Sequence, residues 1–148
     1  MKAITIDHIQ SHAERIAAGQ ESVKPGMPLA FTTACSPGDA IRQGDLYLVV
    51  VDKVPSGYVK ATRPSKQLVP GNTEGAKHCL DATAGVKVYL PEKWDAESLE
   101  GPCLVTTKER KVLHPVHGPV TIPAGMTVQC RYQREWDKEL AKQRRARD

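Results

Sequence analysis

The sequence predicts a mainly β protein: a small barrel or sandwich of short antiparallel strands, with one N-terminal helix and a C-terminal helical tail. Three observations carry that prediction. The aliphatic residues lean to Val and Ile, which suit pleated, half-buried surfaces. Eleven Gly and eleven Pro break the chain into many short extended runs, the pattern of an all-β domain. Only 5% of residues are aromatic, so the core must be built from small aliphatic side chains, with the two Trp and four Tyr at strand edges or rims.

At 148 residues the chain is the size of one domain and can bury a sizeable core. Charged residues make up 26%, and the longest apolar run, Leu46 to Val51, is too short to span a bilayer. Collagen-like, disordered and membrane classes are thereby excluded. The expected division is a helix and linker over 1–28, a β domain over 29–137, and a basic tail over 138–148.

Residues 6–18 read as the helix. Ile6, Ile9, Ala13, Ile16 and Ala17 fall on one apolar stripe, and Gly19 suits the position just past its end. His8 and His12 share a face with Arg15, away from that stripe, and read as solvent-facing. Residues 20–29 are turn-rich, with Pro25-Gly26 fixing a bend. Leu29–Ala34 is a first strand and Ser36-Pro37-Gly38-Asp39 a turn. Gly44-Asp45 opens the clearest strand, Leu46–Val51, apolar on both faces and therefore expected to be covered on both. Pro55-Ser56-Gly57 turns it into Tyr58–Thr62.

Short strand candidates follow at Gln67–Val69, His78–Leu80, Val86–Leu90, Cys103–Thr106, Lys111–His114 and Val120–Ile122, with one helical turn over Asp95–Glu100. After the tight turn Pro123-Ala124-Gly125 comes the best alternating segment, Met126–Gln133. Met126, Val128, Cys130 and Tyr132 share one face; Thr127, Gln129, Arg131 and Gln133 share the other. One face belongs to the core, and the other is wet or lines a site.

The N-terminus lacks the apolar stretch of a secretion signal, so the expected compartment is the cytoplasm. Cys35, Cys79, Cys103 and Cys130 are widely spaced, with no C-x-x-C pair, and read as reduced thiols packed in the core. The net charge of +4 is concentrated in the tail, where Lys138, Lys142, Arg144, Arg145 and Arg147 face only Glu139 and Asp148. Such a tail is either a solvated helix or a contact for nucleic acid or an acidic partner.

The residues that most resemble a site are the histidines of the second half. In His114-Pro115-Val116-His117-Gly118-Pro119, Pro115 holds His114 extended and Gly118-Pro119 forces a turn. Two imidazoles on one rigid bend can converge on a metal ion or a phosphate. His78 is the natural third ligand, which makes His78, His114 and His117 a candidate site for a divalent metal such as zinc. The other reading is that these side chains cap turns. Glu74, Arg131, Arg134 and Glu135 are the candidate ligand-binding or charge-stabilising residues around them. No nucleophile motif, phosphate loop, dinucleotide fingerprint or C-x-x-C zinc knuckle is present.

At these residues the sequence resembles a family of small, functionally uncharacterised bacterial and phage proteins. The matching segments are Gln43-Gly44-Asp45-Leu46, the loop Gly71 to His78, the stretch His114-Pro115-Val116-His117-Gly118-Pro119-Val120-Thr121-Ile122-Pro123-Ala124-Gly125, and Gln133-Arg134-Glu135-Trp136-Asp137. The chain departs from the family pattern at Asn72, where the pattern has Glu, and at Ala76, where it has His. If the pattern describes a four-histidine cluster, one ligand is missing here. The resemblance implies a compact β-rich fold in a phage or mobile-element setting, and no reaction.

Two functional classes follow. The first is a β domain whose His-lined site binds a metal or a phosphorylated ligand. The second is a phage structural or partner-binding module without catalysis, engaging a protein partner or a second copy through its terminal arms, or nucleic acid through the basic tail. Scarce aromatics weigh against base stacking as a binding mode. No membrane association is expected.

Overall fold

The computed structural model describes residues 29–71, 77–137 and 142–145. The expected helix over 6–18, with His8 and His12, lies outside them, and so does Glu74. What is described is all β, in two sheets and one hairpin. The strands are β1 Leu29–Ala30, β2 Ala40–Gln43, β3 Leu46–Val50, β4 Val59–Lys60, β5 Cys79–Leu80, β6 Val86–Leu90, β7 Glu100–Thr106, β8 Arg110–Leu113, β9 Val120–Ile122, β10 Thr127–Tyr132, β11 Arg134–Asp137 and β12 Lys142–Arg145.

Six strands form the larger sheet in the order β2-β3-β10-β7-β6-β4, all antiparallel. Four form the smaller, β1-β9-β8-β5, in which only β1 and β9 run parallel. One core joins the two sheets. Leu46, Leu48 and Val50 of β3 and Val128, Cys130 and Tyr132 of β10 meet Leu80, Val112, Val120 and Ile122 of the smaller sheet. The strand period of two puts the alternate residues of β3 and β10, among them Tyr47, Val49 and Arg131, on the outer face.

Several sequence expectations need correction. Of the expected C-terminal helical tail, the described residues 142–145 are a strand instead, pairing antiparallel with β11 through Glu135↔Arg144 and Asp137↔Lys142. Lys, Arg and Gln favour helices locally, but a neighbouring strand satisfies the same backbone groups. Asp95–Glu100 is not a helical turn: Ser98 N–H to Asp95 C=O at 3.1 Å closes a tight turn, and Glu100 already belongs to β7. Gln67–Val69 is not a strand; Gln67 forms an isolated bridge with Cys79. Tyr132 sits in the core rather than at a rim. Its hydroxyl donates to the Leu68 carbonyl at 2.7 Å and accepts from the Trp94 indole at 2.8 Å, so the ring is buried with its polar end satisfied.

All four cysteines are free; Cys103 and Cys130 are buried, and Cys35 and Cys79 partly so. Burial pushes the Cys103 thiol up to about 11 and raises Cys130 further, with Cys103 adding to the effect. Among the described residues no helix is long and apolar enough to cross a membrane.

Candidate functional site

The three histidines converge, and the strand register explains how. Cys79 of β5 faces Leu113 of β8, so His78 and His114, each one residue beyond that pair, leave the sheet side by side. Their ring centroids are 4.3 Å apart, and His117 lies 4.7 Å from His114 and 6.4 Å from His78. The bend at 114–117 is closed by His114 itself: its Nδ1 accepts the backbone N–H groups of Val116 at 3.1 Å and His117 at 3.2 Å.

Against these rings packs the turn Gly44-Asp45 between β2 and β3. Gln43 donates both amide hydrogens, to Val112 C=O at 3.0 Å and Gly118 C=O at 2.9 Å, so its oxygen faces His78. An amide oxygen only accepts, and His78 Nδ1 therefore carries a hydrogen and donates it across 2.8 Å. His78 Nε2 faces Asp45 Oδ1 at 3.2 Å. Gly44, at φ +60, leaves the space that His117 fills: a Cβ there would lie 2.6 Å from His117 Nε2.

This arrangement does not present a zinc ligand set. Both nitrogens of His78 are engaged, and a His114 Nδ1 that accepts hydrogen bonds leaves its own hydrogen on Nε2. A metal needs the lone pair on a neutral imidazole nitrogen. Among the described residues no group of three or more His, Cys, Asp or Glu is placed to hold a metal ion.

A second cluster lies on the outer face of the larger sheet. Arg42 of β2 and Arg131 of β10 are both register partners of Tyr47 on β3, so the three form a row across adjacent strands. The Arg42 guanidinium sits over the Tyr47 ring, 5.6 Å from its centroid. It donates through Nε to the Gly44 carbonyl and through Nη2 to Gln133 Oε1 at 3.2 Å. Arg131 Nε donates to Gln129 Oε1 at 2.9 Å; Gln129 Nε2 donates to the Tyr58 hydroxyl at 3.0 Å, which donates to Gly101 C=O at 2.9 Å. Burial pushes the Tyr58 hydroxyl up, opposed by its bond to Gln129. Beside these residues an open groove of about 580 Å³ is lined by Tyr47, Val49, Arg131, Tyr132, Gln133 and Arg134.

Of the expected ligand-binding residues, Arg131 and Arg134 therefore come together at this groove, while Glu135 follows in β11. Arg131 is also the register partner of Glu100 on β7, but no ion pair joins them among the described residues. Sequence reading missed Arg42. The signal lay in the two-residue turn Gly44-Asp45: a hairpin there sets Arg42 opposite Tyr47, as the register confirms.

The family model for a domain of unknown function, DUF8820, matches residues 42–133. The chain belongs to this family. The DUF8820 match runs from Arg42 to Gln133, and so contains the whole histidine cluster, its Gly44 turn and the Arg42–Tyr47–Arg131 row. Arg134 and the β11–β12 hairpin lie beyond it. No curated protein and no solved structure matches the chain.

Proposed function

We propose that this DUF8820 domain is a cytoplasmic binding module for a phosphorylated ligand, and that the ligand is the phosphate backbone of a nucleic acid. The observation that carries the reading is the groove at which Arg131 and Arg134 meet beside the Arg42–Tyr47 pair. Guanidinium groups present forked N–H donors that match phosphate oxygens. Arg42 commits two N–H donors and Arg131 one to neighbours, so each is oriented and keeps donors for an anion.

A continuous strand path favours a polyanion over a single phosphate. β10 passes into β11 through Gln133 alone, and β12 brings Lys142, Arg144 and Arg145 alongside β11. The hairpin that follows β10 directly thus carries three basic residues in its second strand. A binding role is favoured over a catalytic one because the buried His78 has both nitrogens committed to Gln43 and Asp45. A phage or mobile-element setting, implied by the resemblance of the histidine segment, is part of this reading.

The test is fluorescence anisotropy with a labelled single-stranded oligonucleotide, competed with inorganic pyrophosphate and with an acidic peptide. The expected result is binding that Arg131→Ala and Arg134→Ala each weaken about tenfold, the worth of one charge-assisted contact of ~1.5 kcal/mol. Competition by pyrophosphate as effective as that by unlabelled oligonucleotide points to a small phosphorylated ligand. Preference for the acidic peptide contradicts the proposal.

A further inference from the structure

We infer that the histidine cluster is the positioning device of the phosphate-binding face, acting through Arg42. The inference rests on the reading above and assigns the buried histidines a part in it. The turn 43–45 has two sides. On the inner side, His78 bonds to Gln43 at 2.8 Å and to Asp45 at 3.2 Å. His117 occupies the space that a side chain at Gly44 would need. On the outer side, Gly44 C=O accepts from Arg42 Nε, and Asp45 C=O accepts from the Gln133 backbone N–H at 2.9 Å. Gln133 Oε1 in turn accepts from Arg42 Nη2.

Both acceptors that hold the Arg42 guanidinium are thus tied to the backbone at 44–45. The histidines hold the same turn from behind, His78 through the Gln43 and Asp45 side chains and His117 by filling the space beside Gly44. Arg42 flanks the groove by lying over Tyr47, which lines it, and the histidines reach it only through the turn. Their effect is to keep an otherwise mobile arginine over Tyr47 before the ligand arrives, which lowers the ordering cost of binding. His114 completes the arrangement by closing the bend that carries His117.

The experiment has two readouts on the full chain. The first needs no ligand: the ¹⁵N-edited resonance of Arg42 Nε–H. In the unaltered protein it is expected to be shifted and protected by the Gly44 carbonyl. In His117→Ala it is expected to move to the exposed-arginine position and exchange faster with water. His117→Phe, which restores a ring edge against Gly44, is expected to recover much of the original signal. The second is a double-mutant cycle on oligonucleotide affinity. His117→Ala is expected to weaken binding about fivefold in the unaltered protein, the ordering cost of one long side chain, and not at all in the Arg42→Ala background. An unmoved Arg42 resonance, or equal weakening in both backgrounds, overturns the inference. Should His117→Ala not fold, Asp45→Asn keeps the shape of the turn and is read the same way. If the unaltered protein binds no oligonucleotide, the phosphate reading has failed, and the Arg42 resonance still decides the positioning role.

Discussion

Replacing His78 with Ala is expected to cost about 3–4 kcal/mol of folding stability. His78 is fully buried, and its ring holds two polar groups that are themselves almost out of water, Gln43 at 2% exposure and Asp45 at 8%. Its removal strands the Gln43 oxygen, whose amide hydrogens remain tied to Val112 and Gly118, and strips the Asp45 carboxyl of its nearest partner. An unsatisfied buried polar group costs ~1–3 kcal/mol, with the carboxyl at the upper end. Losing the ring leaves a cavity as well, but a polar one that water can enter, which offsets part of its cost. Urea unfolding monitored by Trp fluorescence measures the difference. A domain of ordinary stability, ~5–15 kcal/mol, survives the change with a lower midpoint. A loss below about 1 kcal/mol would show that the network does not hold the turn, and the reasoning would be refuted.

Gly44→Ala and Gly57→Ala separate strain from collision. Both residues have positive φ, but an added Cβ meets His117 at Gly44 and nothing within 4 Å at Gly57; chemical denaturation should show ~1 kcal/mol lost at Gly57, from the left-handed backbone alone, and clearly more at Gly44. Tyr132→Phe is expected to cost ~1–3 kcal/mol, because it unpairs the Leu68 carbonyl and the Trp94 indole N–H together. In thiol labelling of the native protein at mildly alkaline pH, Cys35 and Cys79 should react well before Cys103 and Cys130, whose thiols are buried and held protonated. The folded Cys103 keeps its proton to about 11, against a reference of 9.0. The stability it contributes is therefore complete below the reference value and declines as pH rises from there towards the folded value, which an alkaline unfolding series on Cys103→Ala against the parent would show.

Strands β3, β6, β9 and β10 were legible because Val, Ile and Leu recur there between Gly and Pro turns. β2 was not: Ala40-Ile41-Arg42-Gln43 has one strongly apolar residue and becomes a strand only by pairing with β3. The tail misled for the opposite reason, since its Lys, Arg, Glu and Ala are good helix formers with no apolar period to overrule them. At the site, the rigid bend around Pro115 was readable, and so was the wet face carrying Arg131. The meeting of His78 with His114 was readable only from the ligand chemistry of the side chains, because the Cys79↔Leu113 register that causes it joins segments far apart in the chain. What the rings do is set by Gln43, Gly44 and Asp45, whose roles depend on a tertiary contact that periodicity does not encode.

The most direct test of the phosphate-binding face is the salt dependence of oligonucleotide affinity, measured for the unaltered protein and for the Arg42→Ala, Arg131→Ala, Arg134→Ala triple variant. Three phosphate contacts on a single strand give a slope of log K against log salt of about −2, roughly a 20-fold loss between about 50 and 200 mM. The account predicts a slope at least that steep for the unaltered protein, shallower by about 2 in the triple variant. The same slope in both, or no binding at the lower salt, would contradict it.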